Sequence, residues 1–404
     1  MQAVIMAAGM SSRTFPITLT KPKPLVKIAN REILLRTLEN LEGLADEAVI
    51  IVGYKKEMIE AFVAGRKFKF RVTFVEQKEQ LGTGHAVLQC SQHIKGRFMV
   101  MNGDDYFSKR DMEKCAQHGL AILTRRVDDP SKFGVCFADR GVLKKIVEKP
   151  KIPVSYQGNT GLYVFNEKIF DALRKIKKST RGEYELTDAI NVLAETESIS
   201  VVDGDDWVAG STFTHLLEMN RALLDGMKPE TKGKVSDKAA LAGNVSIGQG
   251  TVVLPGAFIE GPVSIGQSCI IGPNCHIRPY TSIGDRCKVR HGAEIKESII
   301  GDACKGFHLS YVGDSIIGDN VNIGAGTVVT NYRHDGQSVK TWMDGELVDT
   351  GRRKFGTVIG DGCRIGAKTV IYPGRKLWPG MTTLPGEIVK KDIKEQNLSL
   401  RGEN

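Results

Sequence analysis

The stretch NVSIGQGTVVLPGAFIEGPVSIGQSCIIGPNCHIRPYTSIGD (residues 244–285) repeats on a period of six. Large aliphatics stand at Ile247, Val253, Ile259, Ile265, Ile271, Ile277 and Ile283, and glycine often follows, as in IGQG, IGQS, IGPN and IGD. The same slot holds Val235 and Leu241 upstream and Val289 and Ile295 downstream. After a disturbance at 299–313 the pattern resumes in SIIGDN, VNIGAG, VIGDG and RIGAK. A period of six with a small residue four places after the aliphatic suits neither the face of an α-helix nor the alternation of a hairpin ladder. It predicts a parallel β-helix, short flat strands stacked into a prism.

Cys269, Cys275, Cys287, Cys304 and Cys363 each fall four residues after an aliphatic, in the small-residue slot. A zinc site would need paired CxxC-type spacings, which the chain lacks. Disulfides conflict with the cytoplasmic location expected from an N-terminus, MQAVIMAAGM, without a basic n-region or cleavage site. These cysteines are expected to be small core thiols.

Upstream of the repeat the grammar changes. AVIMAA (3–8), EAVIIVG (47–53), RVTFVEQ (71–77), RFMVMNGD (97–104) and LAILTRR (120–126) have strand length, and the periodic stretches 32–44 and 55–63 between them read as helices. Alternating strands and helices predict an α/β fold on a mostly parallel sheet, with ligands at the C-terminal strand ends. A helix at 214–227 followed by Pro229 closes this half. The expected division is therefore 1–228, a linker 229–236, the β-helix 237–390 and a polar tail 391–404.

The 404 residues are 41% hydrophobic and 25% charged, which excludes wholesale disorder, and no apolar run is long enough to cross a bilayer. The net charge of +9 suits anionic partners. No dense Lys/Arg block with interleaved aromatics is present, so phosphorylated small molecules are expected rather than nucleic acid or membrane.

The first strand runs into MAAGMSSR and then TFPITLTKPKPLVKI, a Gly/Ser-rich loop whose amides can meet phosphates, with Arg13, Lys21 and Lys23 adding charge. AAG-x3-R followed by the lysine of PKPL resembles the signature of the sugar-1-phosphate nucleotidylyltransferases. Their loop usually reads GxGTR; here Ser11 replaces the second glycine. QLGTGHA (80–86) resembles the base-recognition loop of the uridylyltransferases that make UDP-N-acetylglucosamine. The resemblance implies that Ala8, Gly9, Gln80, Gly82, Thr83 and Gly84 bind the nucleotide, with UTP favoured over dTTP. It makes Arg13 and Lys23 catalytic and Asp104, in NGDD, a ligand of Mg²⁺, a hard cation that prefers oxygen. FGV, EKP and NTGLY follow in the family's order, so the resemblance implies that Gly134, Glu148, Asn159 and Thr160 hold the sugar hydroxyls and the acetamido group and that Lys149 helps neutralise phosphate. The family's second metal ligand aligns with Ala209; Asp206 or Asp205, or water, would replace it.

In the second half, Arg278-Pro279, Lys296, His308, Tyr311, Asn322 in NIGAGT, and Asn331-Tyr332 resemble the acetyltransferase domain of the bacterial bifunctional glucosamine-1-phosphate acetyltransferase/uridylyltransferase. The resemblance implies a left-handed β-helix with His308 as general base. Arg278 and Lys296 would bind the sugar phosphate, Tyr311, Asn322 and Asn331 would orient the sugar, and backbone around Ala325 would meet acetyl-CoA. About two dozen residues (333–355) interrupt the hexads after Tyr332, as in archaeal members of the group. Gly356 aligns directly with a bacterial catalytic-site lysine; Lys340 or Lys354 could serve instead. Arg352, Arg353 and Lys354 form either a solvated loop end or a binding point for the phosphates of CoA.

The expected function is thus bifunctional: acetylation of glucosamine 1-phosphate, then uridylyl transfer from UTP, in a homotrimer built on the β-helix. Two rivals stand beside it. One is a single-activity nucleotidylyltransferase with a structural β-helix, against which the His308 constellation argues. The other is a non-catalytic binding subunit, against which Arg13, Lys23 and Asp104 argue.

Overall fold

The computed structural model describes residues 1–152 and 155–395, so most of the expected polar tail lies outside the described residues. The chain forms two compact units. The first comprises Met1–Met10, Pro22–Leu25 and Ile33–Ala209; the second comprises Ser11–Lys21, Val26–Glu32 and the chain from Gly210 onward.

In the first unit, β1 (Gln2–Met6), β2 (Glu47–Val52), β3 (Arg71–Glu76), β4 (Phe98–Asn102), β5 (Ala121–Arg126), β6 (Gly134–Asp139), β7 (Val142–Glu148), β8 (Gln157–Phe165) and β9 (Ser200–Asp203) build one sheet. Their order is β3-β2-β1-β4-β8-β5-β9-β7-β6. β1 pairs in parallel with β2 and with β4. All six residues of β2 are buried, as a near-continuous apolar run requires when both faces of a sheet are covered. Helices α1 (Ile33–Asn40), α2 (Lys56–Ala64), α3 (Thr83–Gln89), α4 (Lys109–Ala116), α5 (Lys168–Lys175) and α6 (Leu186–Ala194) supply the covering layers. The five strands expected from sequence are all present. The sheet is more mixed than expected, since β8 runs antiparallel to both β4 and β5.

Among the described residues the second unit contains three parallel sheets of seven, eight and seven strands. Val245 pairs with Val263 and Val263 with Thr281, so one coil takes 18 residues. Ile247, Ile265, Ile283, Ile300, Ile317, Ile359 and Leu377 line one inner column and are all buried. Each such side chain contributes roughly 1.5–3 kcal/mol on leaving water, which is why the aliphatic slot dominates the sequence pattern.

The disturbance at 299–313 does not interrupt the coil. Strands Ile299–Ile300, Lys305–Gly306 and Tyr311–Gly313 continue all three sheets. Ile283 pairs with Ile300, a coil of 17 residues, so one corner is a residue short. Gly306 occupies an aliphatic slot at φ +98, where a Cβ would lie 2.0 Å from the Ile323 carbonyl oxygen, and the neighbouring Phe307 is buried instead. The two-dozen-residue interruption leaves the prism intact as well: Ile316 pairs with Val358, 42 residues on. The excess loops out and carries a hairpin, Lys340–Met343 with Glu346–Asp349.

The helix that closes the first half in sequence, α7 (Phe213–Asp225), groups with the second unit. Asn220 on α7 donates to the Tyr280 carbonyl (2.9 Å) and accepts from the Ala29 amide (3.0 Å). The first β-helix strand, Lys234–Val235, already begins inside the expected linker. Among the described residues no helix is long and apolar enough to cross a membrane.

Candidate active sites

At the C-terminal end of β1, the strand flanked by β2 and β4, the chain turns through Ala7, Ala8 and Gly9. The Ala8 carbonyl accepts from the Tyr54 amide (3.0 Å) and from Gln80 Nε2 (2.9 Å), which brings the candidate nucleotide loop and Gln80 together. Gly82 caps α3 at φ +103, and a Cβ there would lie 2.7 Å from the Tyr184 carbonyl oxygen. The Gly84 amide donates to that same oxygen at 2.8 Å. The two glycines of LGTG are therefore required by packing against Tyr184, a reason independent of any base. Thr83 Oγ1 accepts from the Leu186 amide (3.2 Å). Gln77, not singled out from sequence, locks the turn by donating to the Gly82 carbonyl (3.1 Å) and meeting His85 Nδ1 (3.1 Å).

Lys23 is only 2% exposed, and its Nζ lies 2.8 Å from Asp104 Oδ2. A buried ammonium is tolerable only when paired, and the half-buried carboxylate beside it supplies the charge. Arg13 lies in a short 3₁₀ turn, Ser12–Thr14, and is exposed. Ser11, standing where the resemblance expects glycine, adopts the left-handed φ of 56° that explains the glycine. Its carbonyl gathers the Thr14 amide (3.0 Å) and the hydroxyls of Thr14 (2.8 Å) and Thr18 (2.9 Å).

On the neighbouring strands, a Cβ at Gly134 would lie 2.9 Å from Glu148 Oε2. Burial pushes the Glu148 carboxyl above its ordinary range, against the opposing pull of Arg181 and Lys149. Asn159 donates to the Tyr163 hydroxyl (2.7 Å) and accepts from the Gly161 amide (3.0 Å); Thr160 is buried and donates to the Leu123 carbonyl (2.9 Å). Lys149 takes a left-handed φ of 45°, its amide donating to the Phe133 carbonyl (3.0 Å). Asn102 donates to Asp105 (3.0 Å) and fills the space a side chain at Gly161 would need.

As a metal ligand, Asp104 offers one hard carboxylate; Ala209, buried, offers none. Asp205 is turned to Lys114 (2.7 Å) and Arg110 (3.2 Å). Asp206 is exposed, its amide held by Asp111 (2.9 Å). Among the described residues no group of three or more His, Cys, Asp or Glu converges. The donor set suits a cation completed by phosphate oxygens, as Mg²⁺ commonly is, rather than an all-protein cage.

On the β-helix, one corner gathers four of the expected residues with three carboxylates that sequence did not single out. Lys296 Nζ lies 3.1 Å from Asp314 Oδ2 and 3.5 Å from Glu297. Asn331 donates to Asp314 and to the Tyr311 hydroxyl (3.1 Å), and Arg278 pairs with Glu294 at 2.8 Å. Asp314 is fully buried, and burial raises its pKa against the pull of Lys296. Arg221 and Arg352 both reach Glu297 and outweigh its burial, so that carboxyl stays well below its usual range. Asp314 escaped notice because YVGD reads like the ordinary turns SIGD and IIGD.

His308 and Ala325 lie on a different corner. His308 is exposed, and its carbonyl accepts from the Gly326 amide (2.8 Å) and Ser310 Oγ (3.1 Å). Phe307 (φ 62) and Leu309 (φ 51) flank it in left-handed conformations unusual for bulky residues, the kind of strain that collects at functional sites. Asn322 stands on another sheet, in register with Lys305 and Arg364.

Gly356 cannot carry the aligned lysine: a Cβ there would lie 2.2 Å from the Gly313 carbonyl oxygen. Lys340, on the inserted hairpin, lines a cavity of about 570 Å³ together with Tyr332, Arg333, Tyr372, Arg375 and Lys390. Lys354 is exposed, while Arg352 is engaged by Glu297 and Arg353 donates to the Gly336 carbonyl (3.2 Å).

Residues 2–226 match the nucleotidyl transferase family, and residues 259–396 match the family described as the GMPPB C-terminal domain. The chain is 37% identical to the bifunctional protein GlmU of Methanocaldococcus jannaschii, over 98% of this chain and 97% of that one. It is 38% identical to the bifunctional sugar-1-phosphate nucleotidylyltransferase/acetyltransferase of Sulfurisphaera tokodaii, over 97% and 98%. The chain belongs to this bifunctional GlmU-type family. A UDP-glucose pyrophosphorylase crystallised with UDP-glucose shares the fold of the first half, with a TM-score of 0.51 at 22% identity, covering 56% of this chain and 99% of that one.

Proposed function

We propose that the chain catalyses two consecutive steps of UDP-N-acetylglucosamine synthesis. The amine of glucosamine 1-phosphate attacks the thioester carbonyl of acetyl-CoA, and CoA leaves as its thiol. The phosphate oxygen of the resulting N-acetylglucosamine 1-phosphate then attacks the α-phosphorus of UTP, and pyrophosphate leaves. The observation that carries the two-site reading is the corner of Lys296, Asp314, Tyr311 and Asn331. A β-helix serving only as a stalk has no need of an almost buried lysine, whose desolvation must be offset by a buried carboxylate.

In uridylyl transfer, Arg13 and Lys23 neutralise the charge that builds on the phosphate oxygens, and Gln80 with the Ala8–Gly9 turn positions the nucleotide. Gly134, Glu148, Asn159 and Thr160 hold the sugar hydroxyls and the acetamido group, and Lys149 helps neutralise the phosphate. Mg²⁺ held by Asp104, with Asp206 as a second ligand, would supply further neutralisation when bound. In acetyl transfer, His308 takes the amine proton, Arg278 and Lys296 bind the sugar phosphate, and Tyr311, Asn322 and Asn331 orient the sugar. The backbone at Ala325 meets the thioester. Lys340 and the cations lining its cavity would meet the phosphates of CoA.

Because Lys296 and His308 occupy different corners, a complete acetyl site is supplied by neighbouring copies, and the active species is a cytoplasmic homotrimer. The outward column Phe258, His276, Glu294, Tyr311, Val328, Val370 and Ile388 supports this reading, with Phe258, Val328 and Ile388 left half-exposed. Sedimentation at three times 44.3 kDa is expected, and a monomer would remove the argument.

The deciding assay is thiol release from acetyl-CoA with glucosamine 1-phosphate in the absence of UTP. Release by the parent and its loss in His308→Ala are expected. A well-folded trimer that releases no thiol would reduce the β-helix to a scaffold.

A further inference from the structure

The signature TKPKPLVK (20–27) carries three lysines, and the structure separates their duties. Lys23 goes to Asp104, whereas Lys21 and Lys27 go to the β-helix. Asp285, Asp302, Asp319 and Asp361 occupy one corner of four successive coils. Each offers Oδ1 to a backbone amide one coil earlier: Gln267 (2.8 Å), Asp285 (3.0 Å), Asp302 (2.7 Å) and Asp319 (2.7 Å). The Oδ2 atoms are left over, a ladder of like charges that is unfavourable unless neutralised. Lys27 reaches Asp285 (3.3 Å) and Asp302 (2.8 Å); Lys21 reaches Asp319 and Asp361 (3.1 Å); Thr20 Oγ1 adds a bond to Asp361 (2.7 Å). Downstream of Lys27, Asn220 holds the Ala29 amide (3.0 Å) and Asn30 donates to Ser264 (3.0 Å).

We propose that Lys21 and Lys27 are positioning residues for uridylyl transfer: docked on the aspartate ladder, they fix the backbone on both sides of Lys23 and the preceding segment that carries Arg13. Lys21 is thereby withdrawn from the phosphate-binding role its sequence position suggests. Burial opposes the Lys21 charge, yet Asp319 and Asp361 outweigh it and hold the ammonium's pKa above its usual value, so the contact persists at neutral pH.

The inference rests on uridylyl transfer at Lys23, and its test separates the two. In the full chain, Asp319→Asn/Asp361→Asn keeps an Oδ1 acceptor for each backbone amide and removes only the charges that face Lys21. The expected result is a loss of uridylyl kcat on the order of 10- to 100-fold, as for a catalytic group displaced by about an ångström. KM for UTP and acetyl transfer by the same protein should stay within about twofold, and amide hydrogen exchange across 20–32 should rise. Lys21→Met should reproduce the loss, and Lys21→Arg should retain most of the activity. Unchanged exchange across 20–32, or an equal loss of both activities, would overturn the proposal. So would a rise in KM for UTP confined to the Lys21→Met variant, the mark of a direct phosphate ligand. A parent that transfers no uridylyl group would refute the reading of Lys23, while the exchange measurement still decides the tether.

Discussion

Lys376 is 3% exposed, packed between the rings of Phe213 and Trp378, and donates to the carbonyl of Trp342 and, at 3.4 Å, to that of Phe15. Burial, opposed by Asp392, lowers its pKa from 10.5 to about 8. The unfolded chain therefore holds this proton more tightly than the folded one. The resulting penalty is fully present below about pH 8 and is relieved as the pH rises towards 10.5. Lys376→Met lacks that penalty, so its stability relative to the parent should decline steadily between those limits in denaturant titrations. Parallel pH profiles would show that the amine titrates normally. Nothing in the local sequence RKLWPG marks this lysine, because its environment is assembled from residues far away in the chain. The same holds for Asp314 and for Lys21, whose partners are set by how coils stack. By contrast Lys23, Asp104 and Gln80 could be put forward as candidates from sequence, since each lies in a short motif whose spacing is local.

At the scale of elements, the hexad pattern was readable because one aliphatic per six residues is dictated by burial alone. What it could not disclose was the meaning of its own defects. Corners one residue short, between Ile295 and Ile300 and between Val312 and Ile317, and a glycine in an aliphatic slot look in sequence like an interruption; in the fold the three sheets run on through them, and the glycine stands just before Phe307 and His308. Gly306→Ala tests this. Its Cβ meets the Ile323 carbonyl at a φ that disfavours any side chain, a strain of about 1–3 kcal/mol before the clash is relieved. Denaturant unfolding should show a loss of at least that size, and acetyl transfer should fall further than uridylyl transfer. Equal retention of both would mean that the corner accommodates a methyl group and that the glycine has another reason. The helix α7 teaches a related lesson. Its amphipathic pattern is plain, but the unit it packs against depends on Asn220 and Arg221, polar residues whose partners no periodicity reveals.

For the molecule as a whole, the two halves differ in how they stay folded. The sheet of the first unit closes around contacts between distant segments, while within the prism each strand pairs only with strands of the coils above and below. Cys269, Cys287, Cys304 and Cys363 stand at different heights along that prism, all buried. Each thiol donates to a carbonyl of the following coil: Gly284 (3.1 Å), Gly301 (3.1 Å), Gly318 (3.0 Å) and Trp378 (3.0 Å). Burial keeps them out of reach of alkylating reagents while the coils are closed. They therefore form a built-in depth gauge for opening. Under mild denaturant, alkylation read by peptide mass should capture Cys363 first and Cys304, Cys287 and Cys269 in turn if the prism unwinds from its C-terminal end. Simultaneous capture of all four would mean that the coils open together, as a single cooperative spring.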